Sequence, residues 1–179
     1  MADYRERVGR LRKTVNELCW DGEWYWRGTH DSGWVLGSKA NTKGGMLFTN
    51  QNAFAIVAGL ADAERTRSIL AAFDRHLDTE YGSYCFYPPF PQPEPRAGNI
   101  SRFAPGTKEN GSLQGHNSRW RAWAEFTAGR GDEGYSVLKR MLPCTLHEKI
   151  PETYGIEPYV ACQFVYAPES GHHGEGSHA

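Results

Sequence analysis

Residues 105–120 read PGTKENGSLQGHNSRW. Behind a Pro-Gly turn they gather Lys108, Glu109, Asn110, Ser112, Gln114, His116 and Asn117 into one short segment. Trp120 and Trp123 follow at helical spacing. A carboxylate accepts hydrogen bonds, an amide both donates and accepts, and an imidazole can donate from either ring nitrogen. A solvated connector would account for this polarity and leave the tryptophans unexplained. Aromatic residues make up 13% of the chain, with six tryptophans among 179 residues. Such rings serve either as core or as a platform for a flat-faced ligand, and sugars offer such faces through their axial C–H groups. For any single ring, core is the default.

The bulk composition excludes several other chemistries. Lys and Arg total 20 against 21 Asp and Glu, a net charge of −1, so there is no basic field to hold nucleic acid or an anionic membrane. Cys19, Cys85, Cys144 and Cys162 form no C-x-x-C pair. Reduced thiols in the cytoplasm are therefore expected, rather than a disulfide framework or a zinc site. No apolar run approaches the roughly 18 residues of a membrane span, and the N-terminus lacks an apolar leader core. The sequons at Asn99 and Asn110 then read as chance matches. His172, His173 and His178 lie in a Gly-rich setting without carboxylate geometry and read as a flexible loop rather than a metal site.

The elements that must position the polar loop follow from periodicity. Tyr4, Val8, Leu11, Val15 and Leu18 recur at alternating spacings of four and three, predicting an amphipathic helix over about 4–19. An aromatic hairpin follows, turning at Asp31-Ser32-Gly33. Thr49 or Asn50 is expected to cap a helix through NQNAFAIVAGLA. Asp62 caps the next, with Ile69, Leu70, Phe73 and Leu77 on one face. Residues 78–113 read as a long irregular stretch containing PPFPQPEP, and connectors of that length are often functional. Helical pattern returns at about 117–128 and 132–142, with Asp132 as N-cap and Pro143 as stop. EPYVACQFVYAP near the end reads as a buried strand or a helix start. Helix pairs joined by aromatic-rich loops imply an all-α architecture with its working surface on the loops.

Taken in order, WDGEWYWRGTHDSGWVLGS, FTNQNAFAIVAGLADAERTR, YGSYCFYPPF, PGTKENGSLQGHNSRW, GRGDEGYSVLKRMLP and EPYVACQFVYAPES resemble the glycoside phosphorylases of the cellobiose and chitobiose phosphorylase family (glycoside hydrolase family 94). The most specific part is KEN, five residues, His, followed by EPYVxxQ. The resemblance implies that residues 1–179 are part of an (α/α)6 barrel with long irregular loops and a short β-hairpin. It implies an inverting β-glycoside phosphorylase, which cleaves a cellobiose- or chitobiose-like disaccharide with inorganic phosphate to give a sugar 1-phosphate. It also implies no cofactor beyond phosphate as co-substrate, and a homodimer for the full-length enzyme.

In that chemistry phosphate attacks the anomeric carbon while a carboxylic acid protonates the departing oxygen on the other face. Carried over residue by residue, Glu109 matches the KEN glutamate near the acceptor sugar, where a carboxylate accepts from a vicinal diol. The structural alternative for Glu109 is a loop-bracing ion pair with Lys108 or an arginine. His116 matches the histidine that contacts phosphate, whose charge would favour the imidazolium. Gln163 matches the glutamine near the donor sugar, and Trp120 and Trp123 match helix positions that pack.

The chain also departs from the family pattern. It contains no Trp-Asn-Asp type motif for the general acid, and Asp21 falls in the structural WDG segment, so no catalytic residue is assigned. The Thr-Gly loop and the upstream arginines of the phosphate pocket are missing too. The expectation is therefore the later part of a catalytic barrel, truncated at both ends and inactive alone. The competing readings are a non-catalytic carbohydrate-binding or interaction fragment and an (α/α)6 hydrolase. The hydrolase would need a second carboxylate, and Asp31, Glu80 and Glu157 carry no spacing that supports one.

Overall fold

A computed structural model describes residues 2–177, and His178 of the histidine group lies outside them. Helix α1 spans Ala2–Leu18. Its charged faces carry i,i+4 pairs, Asp3–Arg7 and Glu6–Arg10, that contribute little each because they are exposed. The expected apolar stripe is present, but its outer part is not buried: Tyr4 is 69% and Leu11 64% exposed. Only the C-terminal end docks, where Val15, Cys19 and Trp20 pack on the core and Asn16 links to the Leu60 carbonyl and the Tyr25 hydroxyl.

The hairpin follows as β1 (Gly28–Thr29) and β2 (Val35–Leu36), with Gly28 opposite Leu36 and Thr29 opposite Val35. Strand β3 (Leu47–Phe48) runs directly into α2 (Thr49–Val57). Neither Thr49 nor Asn50 caps that helix. Its N-cap is Phe48, because the Thr49 hydroxyl donates instead to the Tyr84 carbonyl at 2.6 Å. Helix α3 (Ala63–His76) starts as expected, the Asp62 carboxylate accepting from the Arg65 amide at 2.8 Å. Its Ile69, Leu70, Phe73 and C-cap Leu77 are all buried.

The stretch after α3 is more ordered than its composition suggests. It holds β4 (Asp78–Thr79), β5 (Gly82–Ser83), β6 (Phe86–Tyr87), a 3-10 turn over Pro95–Ser101, and β7 (Leu113–Gln114). Then come α4 (Gly115–Thr127), α5 (Gly131–Arg140), α6 (Pro143–Lys149) and α7 (Pro151–Tyr154). One sequence expectation fails here: Arg130, not Asp132, is the N-cap of α5, its carbonyl accepting from the Gly134 amide. That helix ends before Pro143 as expected, and Pro143 itself opens α6, since a proline at the first helical position sacrifices no hydrogen bond. EPYVACQFVYAP is mostly irregular and yields only β8 (Phe164–Val165). The ladders are antiparallel pairs: β3 with β6, β4 with β5, and β7 with β8. The described part is thus helix-rich, with small antiparallel sheets between the helices.

Helix α4 is the central element, packing on α2 and on α5. The α5 approach is close because Gly134 sits against the Phe126 ring, 2.8 Å from where its Cβ would lie. The inward face of α4 is largely polar. Asn117, Ser118, Arg121 and Glu125 are buried, while Trp123 is 53% and Phe126 47% exposed. The expected core role therefore fails for Trp123. It holds in part for Trp120, which packs on the core and lies 4.6 Å from the Phe54 ring. Arg121, 1% exposed, pairs with Asp74, Asp78 and Glu125, and Arg130 joins from the α5 cap.

Candidate active-site loop

The loop leading into α4 is built by turns that its sequence specifies. Lys108 adopts a left-handed backbone (φ 45°), and its carbonyl accepts from the Ser112 hydroxyl and from Gln114 Nε2 at 3.2 Å. Such a conformation is costly for a residue with a Cβ, and cross-links of this kind hold it in place. Asn110 is fully buried: its side chain accepts from the Phe90 amide and donates to the Phe90 and Phe103 carbonyls. The asparagine of the KEN motif is a clamp between loops. Gly111 (φ 79°) presses on Pro89, which would lie 2.7 Å from a Cβ there.

Fixed between these anchors, the Glu109 side chain is exposed and has no opposite charge within 4 Å among the described residues. The structural alternative has no ion pair to support it, since Lys108 Nζ lies over the Phe103 ring at 5.2 Å. Glu109 lines an open cavity of about 70 Å³ together with Arg27, Asn50, Gln114 and Asn117 over a floor of Phe48, Cys85, Phe86 and Ile100. The Cys85 thiol donates to the Glu109 carbonyl at 3.6 Å, and burial pushes its pKa up to about 12, so it stays protonated and unreactive.

His116 and Gln163 do not line that cavity; both stand at the start of α4, next to Gln114 and Asn117, which do. The β7–β8 ladder sets Gln114 opposite Phe164, and the Gly115 amide donates to the Gln163 carbonyl at 3.0 Å. The Gln163 side chain is exposed. The His116 ring stands edge-on to Trp120 at 5.1 Å. Lost hydration, and next the Arg119 charge, hold its pKa below the ordinary histidine value, while Glu109 pulls it upward. The three residues named from sequence thus lie near one another, Glu109 on the cavity and His116 and Gln163 at the start of α4.

Asp21 is a brace, its carboxylate accepting from the Lys39 amide at 2.6 Å. All four cysteines are free thiols. Among the described residues no group of three or more His, Cys, Asp or Glu is arranged to hold a metal ion. The His172 amide donates to the Ser170 hydroxyl at 2.9 Å, and the His173 ring is tilted against Tyr81 at 4.9 Å between centroids. A larger hollow of about 690 Å³, bordered by Ile56, Leu70, Asp74 and Arg130, is lined by none of Glu109, His116 and Gln163. Sequence reading missed Arg27 and Asn50, which reach the cavity from distant segments, and left Asn117 without a role.

A family model for the glycosyl hydrolase 94 superfamily, catalytic domain, matches residues 1–179. The chain belongs to that superfamily. Among curated members, it is 39% identical over 170 residues to a 3-O-beta-D-glucopyranosyl-beta-D-glucuronide phosphorylase of Paenibacillus borealis, covering 94% of this chain and 22% of that one. It is 31% identical to the solabiose phosphorylase of the same organism, over 97% of this chain. Identity is also 31% to the N,N'-diacetylchitobiose phosphorylase of Vibrio proteolyticus, over 98% of this chain. The chain spans about a fifth of the length of these glycosyl hydrolase 94 relatives. No helix among the described residues is long and apolar enough to cross a membrane.

Proposed function

We propose that this chain carries the sugar- and phosphate-holding portion of an inverting β-glycoside phosphorylase that acts on a cellobiose- or chitobiose-like disaccharide. The observation that carries this reading is Glu109: an exposed carboxylate without an ion pair, lining a polar cavity beside His116. In this reading Glu109 accepts hydrogen bonds from the acceptor sugar, and Gln163 hydrogen-bonds the donor sugar. His116 donates to phosphate at the N-terminal end of α4, where the helix dipole adds positive potential. Phosphate then attacks the anomeric carbon with inversion, its oxygen forming the new bond as the glycosidic bond breaks. The leaving oxygen takes its proton from a carboxylic acid that this chain does not supply, so the chain alone does not turn over.

The architecture we propose is part of an (α/α)6 catalytic domain. The outward apolar faces of α1 and α4 support it, because they suit helices that are covered in a larger barrel. The enzyme as a whole takes a disaccharide and phosphate, needs no other cofactor, works in the cytoplasm and pairs as a homodimer. Calorimetry of the chain with inorganic phosphate, cellobiose and N,N'-diacetylchitobiose tests the site: binding of phosphate and of a sugar is expected. Absence of both overturns the reading. Release of sugar 1-phosphate by the purified chain alone overturns the assignment of the acid elsewhere.

A further inference from the structure

We infer that α1 is covered, in the whole barrel, by a neighbouring helix whose apolar stripe is edged with acidic residues. This deepens the proposed architecture and rests on its reading of α1 as a helix of a larger barrel; it does not depend on the sugar and phosphate site. Tyr4, Val8, Leu11 and Leu18 are each more than half exposed. With Val15 they recur at spacings of four, three, four and three. Val15 packs on the core, and the other four stand open. A stripe that repeats every seven residues fits the ridges of another helix. From Tyr4 to Leu18 it runs about 21 Å at 1.5 Å per residue, the length of about four turns.

The charges beside the stripe decide what that helix carries. On α1, Arg7 pairs with Asp3, Arg10 with Glu6 and Lys13 with Glu17. Arg5 and Arg12 have no carboxylate within 4 Å among the described residues. Each follows a stripe residue by one position, Tyr4 and Leu11, and the two are seven residues apart. Both therefore lie along one edge of the stripe. Arg12 Nη2 reaches the turn after α2, 3.9 Å from where a Cβ on Gly59 would lie. Two unpaired guanidinium groups flanking an apolar stripe suit aspartate or glutamate on the facing helix, as flanking charges do between paired helices. A second copy of α1 would bring the same arginines, with Asp3, Glu6 and Glu17 already paired. An anionic membrane suits a helix whose whole polar face is cationic, whereas here three carboxylates neutralise most of it.

The test uses two stapled, fluorescently labelled helical peptides with the same leucine stripe, edged by glutamate in one and by lysine in the other. Anisotropy reads their binding to the chain, to the double variant Arg5→Glu, Arg12→Glu and to Leu11→Asp, with thermal unfolding of each. The parent chain should bind the glutamate peptide about tenfold tighter than the lysine peptide, through two attractions gained and two repulsions avoided. High salt should erase the difference, the double variant should invert it, and Leu11→Asp should lose both peptides. Arg5 and Arg12 are exposed, so their reversal should leave Tm unchanged. Equal binding of both peptides, or a preference that does not invert, overturns the acidic edge while leaving the barrel reading standing. Capture of the chain by vesicles of phosphatidylserine and phosphatidylcholine in equal parts, lost in the double variant, overturns it in favour of a membrane. Binding of neither peptide overturns the inference and the covered role of α1 together. Phosphate and sugar binding by the same chain then still uphold the proposed site.

Discussion

The Gly115 amide donates to the Gln163 carbonyl at 3.0 Å, so the residue before His116 and the residue named for the donor sugar are fixed to each other through backbone. The Gln163 side chain is exposed and does no structural work in the free protein. Gln163→Ala should keep Tm within a degree or two, yet weaken disaccharide binding about tenfold. A loss of stability equal to the loss of binding would make Gln163 a packing residue instead.

His116 offers a titration. Its pKa lies below the ordinary value in the free protein, first through lost hydration and then through Arg119. A bound phosphate dianion favours the imidazolium, so saturating phosphate should raise the His116 pKa. By linkage, protonation of His116 should tighten phosphate binding. NMR of the ring protons, with and without phosphate, checks this. An unmoved His116 titration would remove it from the phosphate subsite.

Arg121 neutralises a buried carboxylate. Glu125 is fully buried, and its pKa is raised by burial while Arg121 and Arg130 pull it down. Arg121→Met should cost about 3 kcal/mol at neutral pH by leaving the buried Glu125 charge with Arg130 as its one remaining cation. Because the raised pKa climbs further without Arg121, the variant's deficit should shrink as pH falls through it and Glu125 takes up a proton. Denaturant unfolding at pH 5 and pH 7 measures the difference. A deficit that grows toward acid would contradict the assignment.

Asn110 and Asn117 are both buried amides, Asn110 in the KEN loop and Asn117 in the first turn of α4. Asn110 bonds three backbone groups. Its replacement by alanine should cost on the order of 3 kcal/mol, or roughly 10 °C in Tm, the opposite sign to Asn117→Ala, which removes a buried Oδ1 without a hydrogen-bond partner. Calorimetric melts of the two variants side by side decide it.

The exposed apolar faces should govern association. Tyr4 and Leu11 on α1 and Trp123 on α4 should drive self-association at raised concentration, and Leu11→Glu with Trp123→Glu should reduce it. Sedimentation velocity is the check, and a strictly monomeric parent chain would count against covered faces in a larger barrel.

Much of this was legible from sequence where the signal is local. The Asp62 cap, the buried face of α3 and the turn at residues 31–33 each depend on residues a few positions apart. The α1 stripe was legible too, but periodicity shows that a face is apolar and not what covers it. Trp123 misled for the same reason, because the inward face of α4 is polar and reverses the usual sense. Thr49 looked like a cap until Tyr84 offered its hydroxyl a better acceptor. For the site, Glu109, His116 and Gln163 came through resemblance to a family. Arg27 and Asn50 could not be found that way, since only the folded chain brings the hairpin and the start of α2 to the KEN loop.

The pairings that assemble this site are two-residue ladders joining distant segments, Leu47 with Tyr87 and Leu113 with Val165. Helices form from neighbours along the chain, whereas these ladders must first close long loops. The consequence is an order of events: the helices are in place early, and the cavity around Glu109 closes among the last features to form. In the native protein Leu47, Leu113 and Val165 are fully buried in the same core as α3, so the amides of these ladders should exchange about as slowly as those of α3, and the KEN loop stays pinned to that core.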